Sequence, residues 1–372
     1  MAIRLKKLGA AMALVTGALL GAVSAHAADP AKVLNIYNWS DYIADDTIKN
    51  FEKETGIKVR YDNYDNNEIL HAKLVAGKTG YDIVVPGSHF AKTQIEAGLL
   101  QKLDRSKLTN WNNLDKGLLE QLATLDPGNQ HLVDWMWGYV TVGINVAKVK
   151  AALGDMPMPD NAWSLIFDPK YVSKFKKCGV SVLDSASEVI PAALLYLGKP
   201  PFSKDPADYE EAAKLLKTVR PSVTRFSSSG YIEEMAAGAT CVVLGFSGDI
   251  NIARSRAAEA KKPFAIEALV PKTGATMFFD TMAIPKDAKN VENAHTFINY
   301  ILRPEVHASL TNKVFYANPN AASLKFVKKE VAENKSIFLE PAAIKTLVAP
   351  DALPQAARKV QTRTFTNFKA GR

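Results

Sequence analysis

The chain has 372 residues, of which 47% are hydrophobic and 23% are charged, and its formal net charge is +8. This composition is ordinary for a soluble globular protein. It excludes a mainly disordered chain, a collagen-like repeat and a disulfide-dense miniature scaffold, because the chain has only two cysteines. At about 150 residues per domain, the length favours two or three domains.

The N-terminus has the three parts of a secretory signal. A basic start is followed by an apolar run over residues 8–23 and by the A-x-A motif of Ala25-His26-Ala27. The apolar run is shorter than the roughly 20 residues that a membrane-spanning helix needs. We therefore predict that residues 1–27 are a cleavable signal peptide, with an uncleaved membrane anchor as the alternative.

Strand-like and helix-like segments alternate through the first part of the mature chain. Helix signals include the capping pair Asp45-Asp46 and the stop residue Gly56. The predicted strands cover residues 33–37, 57–61 and 81–85. The predicted helices cover residues 46–54, 68–75 and 90–99.

The same alternation continues later, with helices predicted over residues 207–219 and 231–237 and a strand over 241–244. Strands that alternate with helices predict an α/β fold with a largely parallel core sheet. No linker rich in proline, glycine or serine interrupts the middle of the chain. Two domains would then be joined by chain crossings, for which segments 135–143 and 277–284 are the candidates.

Local signatures of enzyme chemistry are missing. The histidines form no HExxH motif, and no glycine-rich phosphate loop is present. Residues 245–248 (GFSG) fall one residue short of a nucleophile elbow, and the S-x-x-K match at residues 173–176 lacks its companion motifs. We predict no enzyme activity, no cofactor and no metal site. A hydrolase using Ser173 or Ser247 is the alternative.

Nucleic acid is a poor candidate partner, because the basic residues form no stripe interleaved with aromatics. Acids instead stand beside aromatics near the ends of apolar strands, in segments 39–42 (WSDY), 246–249 (FSGD) and 278–280 (FFD). A carboxylate accepts charge-assisted hydrogen bonds from an ammonium group, while an aromatic face attracts the cation and packs on its methylenes. These segments favour a ligand that is an organic ammonium ion, although each acid taken singly would more often be a cap or turn residue.

Longer segments resemble the periplasmic polyamine-binding proteins of ABC transporters, and most closely their putrescine receptors. The resemblance covers essentially the whole mature chain. It is carried by LNIYNWSDYIADDTIKNFEKETGIKVRYDNYDNNEIL, GYDIVVPGSHF, WGYVTVGIN, SSGYIEEMAAGATCVVLGFSGDI, FFDTMAIPKDAKN and FYANPNA. It implies a type II-like periplasmic-binding-protein fold of two α/β lobes with hinge crossings and a ligand cleft. Lobe 1 would hold residues 28–137 and 280–312, and lobe 2 residues 138–279 and 313–372.

The resemblance also implies a function. A monomer in the periplasm of a Gram-negative bacterium would bind a small cationic amine, with a diamine such as putrescine favoured, and deliver it to a membrane permease. Asp249 and Asp280 would bind ammonium groups, and aromatic side chains would enclose the ligand's chain. The implied ligand-binding residues are Trp39, Asp41, Tyr42, Ser88, Glu188, Ser228, Phe246, Asp249, Phe278, Asp280 and Tyr316.

Four further residues bear on this expectation. An oxidising compartment favours a bridge between Cys178 and Cys241 over two free thiols, and the resemblance implies the same disulfide. Phe246 stands where the family usually has tryptophan, a stronger cation-π partner. His89 lies near a position that is small and polar in putrescine receptors, where it would narrow the pocket or, when protonated, repel a cation. Cadaverine, agmatine, spermidine and amino-acid derivatives therefore stay open as ligands, as does a sensory role.

Overall fold

A computed structural model describes residues 32–372. The predicted signal peptide lies outside these residues. The strands are β1 Val33–Trp39, β2 Lys58–Tyr64, β3 Ile83–Val84, β4 Val133–Asn145, β5 Val180–Val182, β6 Arg225–Phe226, β7 Val242–Phe246, β8 Ile266–Leu269, β9 Ala275–Met282 and β10 Leu347–Val348.

Helices connect most of these strands. The α-helices are α1 Thr47–Thr55, α2 Asn67–Ala76, α3 Ser88–Glu96, α4 Lys116–Leu122, α5 Val146–Leu153, α6 Ser164–Phe167, α7 Pro169–Phe175, α8 Ala186–Tyr196, α9 Pro206–Val219, α10 Tyr231–Ala237, α11 Ser247–Glu259, α12 Val291–Ile301, α13 Pro304–Val314, α14 Lys329–Ala332, α15 Pro341–Ile344 and α16 Gln355–Ala370. Short 3-10 helices cover Arg105–Lys107, Trp111–Asn113, Arg220–Ser222 and Ala321–Phe326.

Local signals account for several helix ends. Asp46 takes the position before α1, but its side chain makes no capping hydrogen bond there. Gly56 ends α1 with φ at 71°, in the left-handed region that glycine adopts without strain. At α2 the Asn66 side chain accepts a hydrogen bond from the Ile69 amide, which satisfies a free donor of the first turn. The predicted α/β class is confirmed.

The strands form two sheets. In the smaller sheet the order is β2-β1-β3, and both neighbours run parallel to β1. In the larger sheet the order is β10-β9-β4-β7-β5-β6, with β8 also paired to β4. Isolated bridges from Val84 to Ala283 and from Gly87 to Asp280 link the smaller sheet to the end of β9.

The expectation of a largely parallel core is right for the smaller sheet and wrong for the larger one. Strand β4 runs antiparallel to β7, β8 and β9, while β5 runs parallel to β6 and β7. An alternation of strands and helices could not predict this, because β4 and β9 are far apart in sequence and their direction leaves no local signature.

The two predicted crossings are the long strand β4 and its partner β9. The first part of β4 pairs with β9, and the part from Val140 onward pairs with β7 and β8. The register shifts at a bulge between Asp134 and Met136. The lobe boundaries that we place on these strands remain a prediction.

A disulfide joins Cys178 to Cys241, with the two Cα atoms 5.6 Å apart, which confirms the predicted pair. Cys178 lies just before β5 and Cys241 just before β7. These strands are parallel neighbours in which Val180 is opposite Val242. The bridge therefore ties together the starts of the two strands whose other ends lead to α8 and α11.

Within residues 32–372, no helix is long and apolar enough to cross a membrane. The main core contains fully buried aromatic side chains, among them Trp135, Trp163 and Tyr139. Trp135 and Tyr139 lie on β4, so this strand is anchored in the main core.

Candidate functional site

One cavity gathers most of the predicted residues. It spans about 480 Å³ of space, part of it open to solvent, where the carboxyl ends of strands meet the first turns of helices. In α/β folds this is where ligands usually bind. Its lining residues are Trp39, Ser40, Tyr42, Tyr64, Asp65, Asn67, Glu188, Ser228, Ser229, Phe246, Asp249, Phe278, Asp280 and Tyr316.

Asp249 lies in the first turn of α11, directly after β7. Its carboxylate accepts hydrogen bonds from the hydroxyls of Tyr231, at 2.7 Å, and Tyr316, at 2.6 Å. Burial raises the pKa of Asp249 to about 6, and the two tyrosine hydrogen bonds oppose that rise. Gly248 makes this arrangement possible, because a methyl group at that position would overlap the ring of Tyr316.

Asp280 reaches the cavity from near the carboxyl end of β9 and is 6% exposed. The hydroxyl of Tyr42, which follows β1, donates a hydrogen bond of 2.9 Å to its carboxylate. Burial raises the pKa of Asp280 to about 8. The charge of Asp249 adds to the rise, and the hydrogen bond from Tyr42 opposes it. Asp280 is therefore an acid that an incoming positive charge would ionise.

Glu188 lies in the first turn of α8, which follows β5. Its carboxylate is 6% exposed and makes no hydrogen bond with any residue in the described part of the chain. Burial raises the pKa of Glu188 to about 8, with smaller contributions from the charges of Glu68 and Asp280. Its oxygens are thus free to accept hydrogen bonds from a ligand.

Aromatic rings form a continuous wall of the cavity. The centroid of the Phe246 ring lies 6.3 Å from that of Trp39 and 5.5 Å from that of Phe278. Tyr316 lies 6.1 Å from Phe278 and 4.9 Å from Tyr42. The Trp39 indole N–H donates to the carbonyl of Val85 at 2.9 Å, which fixes the plane of that ring. Such a wall can pack on methylenes and attract a cation.

Ser228 also lines the cavity, close to the acids. Its hydroxyl accepts a hydrogen bond of 3.0 Å from the amide of Asp184 and still has a proton to donate. The structure therefore brings nine of the eleven predicted ligand-binding residues to one cavity, all of them except Asp41 and Ser88.

Asp41 and Ser88 do not line this cavity. The Asp41 carboxylate forms an ion pair with Arg256 at 2.6 Å and borders a separate surface hollow. The segment 39–42 does not continue as extended chain, because β1 ends at Trp39 and Asp41 has φ at 54°, which turns the chain. Ser88 is fully buried at the start of α3.

His89 also lies outside the lining of the main cavity. It borders a second, smaller cavity, where its ring lies 4.9 Å from that of Phe90. Burial lowers the pKa of His89 to about 4, so the imidazole is neutral at physiological pH. The structure therefore removes the expected repulsion between this histidine and a cationic ligand.

Five residues that line the cavity were not predicted from the sequence. They are Ser40, Tyr64, Asp65, Asn67 and Ser229. The pair Tyr64-Asp65 follows the end of β2 and repeats the pattern of an acid beside an aromatic, so the same signal could have found it. Within residues 32–372, no group of three or more His, Cys, Asp or Glu is arranged to hold a metal ion.

Comparisons with known proteins agree with this geometry. A family model described as bacterial extracellular solute-binding protein matches residues 46–338. The putrescine-binding periplasmic protein SpuD of Pseudomonas aeruginosa is 47% identical over 368 residues, which cover 99% of this chain and 100% of that protein. The putrescine-binding periplasmic protein PotF of Escherichia coli is 47% identical over 364 residues, which cover 96% and 97%.

Solved structures give a similar picture. The spermidine/putrescine ABC transporter substrate-binding protein PotD of Streptococcus pneumoniae superposes with a TM-score of 0.72 and is 28% identical. The superposition covers 91% of this chain and 99% of that one. The described chain therefore has the α/β fold of that binding protein.

Proposed function

The chain belongs to the bacterial extracellular solute-binding proteins, and on that premise we propose that it captures a polyamine and delivers it to an ABC transporter. A diamine such as putrescine is the favoured ligand. Several relatives carry putrescine or spermidine in their names, and nearly the whole chain aligns with them.

One observation carries the proposal. Four acids line the cavity, namely Asp65, Glu188, Asp249 and Asp280, and no lysine, arginine or histidine of the described chain lines it. Glu188, Asp249 and Asp280 are buried, and buried carboxylates without a counter-ion are costly, so a cavity of this kind is completed by a positively charged ligand. An anionic or neutral ligand would leave these acids without a partner of opposite charge.

The aromatic walls of the cavity favour a ligand with an apolar chain of suitable length between its charged ends. Methylenes between two ammonium groups would pack against Phe246 and Phe278, while the ammonium ends would meet carboxylates. Phenylalanine at position 246 gives a smaller cation-π surface than tryptophan would, so binding at that end depends more on the acids. The residues that we propose to contact the ligand are Trp39, Tyr42, Glu188, Ser228, Phe246, Asp249, Phe278, Asp280 and Tyr316.

We place this activity in the periplasm, where the named relatives act. The predicted signal peptide would supply export. We propose that the protein acts as a monomer. We propose binding without chemistry, since Ser173 is exposed on α7 and the Ser247 hydroxyl accepts a hydrogen bond from the Tyr139 amide at 3.4 Å. A sensory role would use the same site.

Thermal unfolding tests the proposal. The protein is heated with putrescine, cadaverine, agmatine, spermidine or spermine, and with the uncharged 1,4-butanediol as a control of matched length. A ligand at 100 times its dissociation constant stabilises the folded state by about 2.7 kcal/mol, which raises Tm by a few degrees. We expect a shift with at least one amine and none with the diol. Equal responses to putrescine and the diol would contradict the proposal.

A further inference from the structure

We propose that capture of a diamine releases about one proton from a cluster of four buried carboxyl groups, so that affinity rises with pH through the neutral range. The carboxyl cluster consists of Asp134, Glu188, Asp249 and Asp280. The inference rests on the proposed function, because it concerns how the same cavity accepts its ligand.

The cluster concentrates more negative charge than its surroundings can support. Asp134 is 3% exposed, and the other three members are at most 8% exposed. Four ionised carboxylates in such a space would repel one another and would lack the hydration that stabilises them in water. In the absence of a ligand, some members must therefore hold protons.

Hydrogen-bond donors determine which members are ionised. Asp249 accepts from two tyrosine hydroxyls and Asp280 accepts from one. Glu188 accepts from no group in residues 32–372, and neither carboxylate oxygen of Asp134 has a partner there. Donors stabilise the charged form, so the order of ionisation is Asp249 first, Asp280 second, and Glu188 and Asp134 last.

The position of Asp134 is set by the sheet. It lies on β4 opposite Thr281, next to Asp280 on β9, at the point where the register shifts. Burial and the charge of Asp280 raise the pKa of Asp134 well above its ordinary value, although the nearby Trp135 amide, which makes no hydrogen bond of good geometry to the carboxylate, opposes the rise. Because Asp134 does not line the cavity, it cannot give up its proton to a direct contact with the ligand, and we expect it to stay neutral.

Neighbouring charges do not neutralise the cluster. Tyr42 and Tyr64 lie near Asp280, and burial, followed by the charge of Asp280, raises the pKa values of both hydroxyls. Beside Glu188 stands another acid, Glu68, whose carboxylate accepts hydrogen bonds from Ser185 and Ser187.

Asp249 has one basic neighbour, Arg256, whose charge lowers its pKa slightly while the charge of Asp41 raises it. Arg256 is already engaged, since it pairs with Asp41 at 2.6 Å and also with Glu233. The positive charge that the cluster lacks must therefore come from the ligand.

The proton balance follows. The pKa of Asp249 is raised to about 6, and the pKa values of Glu188 and Asp280 to about 8. At pH 7 the cluster thus carries about one negative charge, mostly on Asp249. A diammonium ligand brings two positive charges, and Asp280 is the next acid to ionise. When an ammonium group binds beside the Asp280 carboxyl group, the proton of Asp280 is released to the solvent.

Isothermal titration calorimetry tests this directly. Putrescine is titrated into the protein at pH 7 in phosphate and in Tris, whose ionisation enthalpies differ. The difference between the two observed enthalpies gives the number of protons exchanged. We expect release of about one proton per putrescine and an affinity that rises about tenfold per pH unit between pH 6.5 and pH 7.5. Zero exchange or net uptake would overturn the coupling.

Two variants locate the proton. Asp280→Asn should bind more weakly and release no proton. Asp134→Asn is the matched control, since it alters an equally buried acid outside the cavity, and it should keep the wild-type proton release. Loss of release in Asp134→Asn would overturn the assignment to Asp280. A saturable isotherm without proton exchange would leave the proposed function intact, whereas the absence of any isotherm would overturn both.

Discussion

Asp249 and Glu188 occupy equivalent positions in the fold, yet their surroundings differ. Each is the third residue of a helix, α11 or α8, that follows one of the two neighbouring parallel strands β7 and β5. Both are buried near the positive end of a helix dipole, which favours a negative charge equally in the two places. Two tyrosine hydroxyls reach Asp249 and none reaches Glu188.

This comparison shows which structural feature determines whether each of the two acids is ionised. Burial raises the pKa of both acids, but that of Asp249 reaches only about 6 whereas that of Glu188 reaches about 8. A position in the first turn of a helix is therefore not enough to keep a buried acid ionised for ligand binding. The tyrosine hydroxyls contributed by other parts of the chain keep Asp249 ionised.

Replacing Asp249 should have the largest effect. In Asp249→Asn an ammonium group enters the buried cavity without its main counter-ion, and we expect putrescine affinity to fall by about 3–5 kcal/mol. Calorimetric titration measures the loss. A change smaller than about 1 kcal/mol would show that Asp249 is not an ammonium anchor and would remove the proposed difference from Glu188.

Removing one hydroxyl should have an intermediate effect. Tyr316→Phe keeps the ring in the wall and deletes the 2.6 Å hydrogen bond to Asp249. Hydrogen bonds to charged groups contribute about 1.5–3 kcal/mol, so affinity should fall by up to that amount and the pKa of Asp249 should rise. Tyr139→Phe is the control, because that hydroxyl bonds to the Ser336 carbonyl and not to an acid. Equal losses in the two variants would point to a general structural effect.

Neutralising Glu188 should have a small effect on binding at pH 7. Most of the Glu188 population holds a proton there, so the neutral amide of Glu188→Gln imitates the wild-type state. We expect an affinity loss below about 1 kcal/mol, the size of one neutral hydrogen bond. Calorimetric titration of putrescine into Glu188→Gln and Asp249→Asn measures the affinity loss in each variant. Similar large losses in both would contradict the prediction that Glu188 matters little at pH 7.

The same acid makes stability depend on pH. The pKa of Glu188 rises from 4.5 to about 8 on folding, so between these values the folded chain binds more protons than the unfolded chain. The free energy of unfolding should therefore fall as pH rises from 5 to 8 in the free protein. Urea unfolding at several pH values measures it. Glu188→Gln should lose less stability over this range, and an unchanged slope would count against a buried, protonated Glu188.

The smallest effect is expected at Asp41. Its ion pair with Arg256 is partly exposed, with side-chain exposures of 38% and 30%, and such pairs contribute about 0.2–1 kcal/mol. Asp41→Asn should lower putrescine affinity by less than about fivefold. A loss greater than 50-fold would place this carboxylate in contact with the ligand, as the sequence alone had indicated.

The main acids could be predicted because they follow recognisable strands. Asp249 and Asp280 stand beside phenylalanines at or near strand ends, and both line the cavity. Glu188 has no aromatic neighbour in sequence, so only the resemblance to polyamine receptors indicated it. The role of Tyr231 was not predictable, since its contact with Asp249 depends on the packing of α10 against α11 and not on spacing.

Strand direction and side-chain orientation could not be predicted from the sequence. The antiparallel course of β4 depends on long-range pairing, and Asp41 turns away from the cavity because of one backbone angle. Some carboxyl groups, such as that of Asp134, lack a hydrogen-bond donor. This depends on three-dimensional packing, so no sequence pattern could predict it. Pattern and spacing place acids near a site, but three-dimensional packing decides their charge.

The decisive measurement is a crystal structure of the protein with putrescine. We expect putrescine in the cavity, with one ammonium group within hydrogen-bond distance of the Asp249 and Asp280 carboxylates and its methylenes against Phe278. Putrescine bound elsewhere, or bound in the cavity without contact to either carboxylate, would show that these acids are not the ligand anchors.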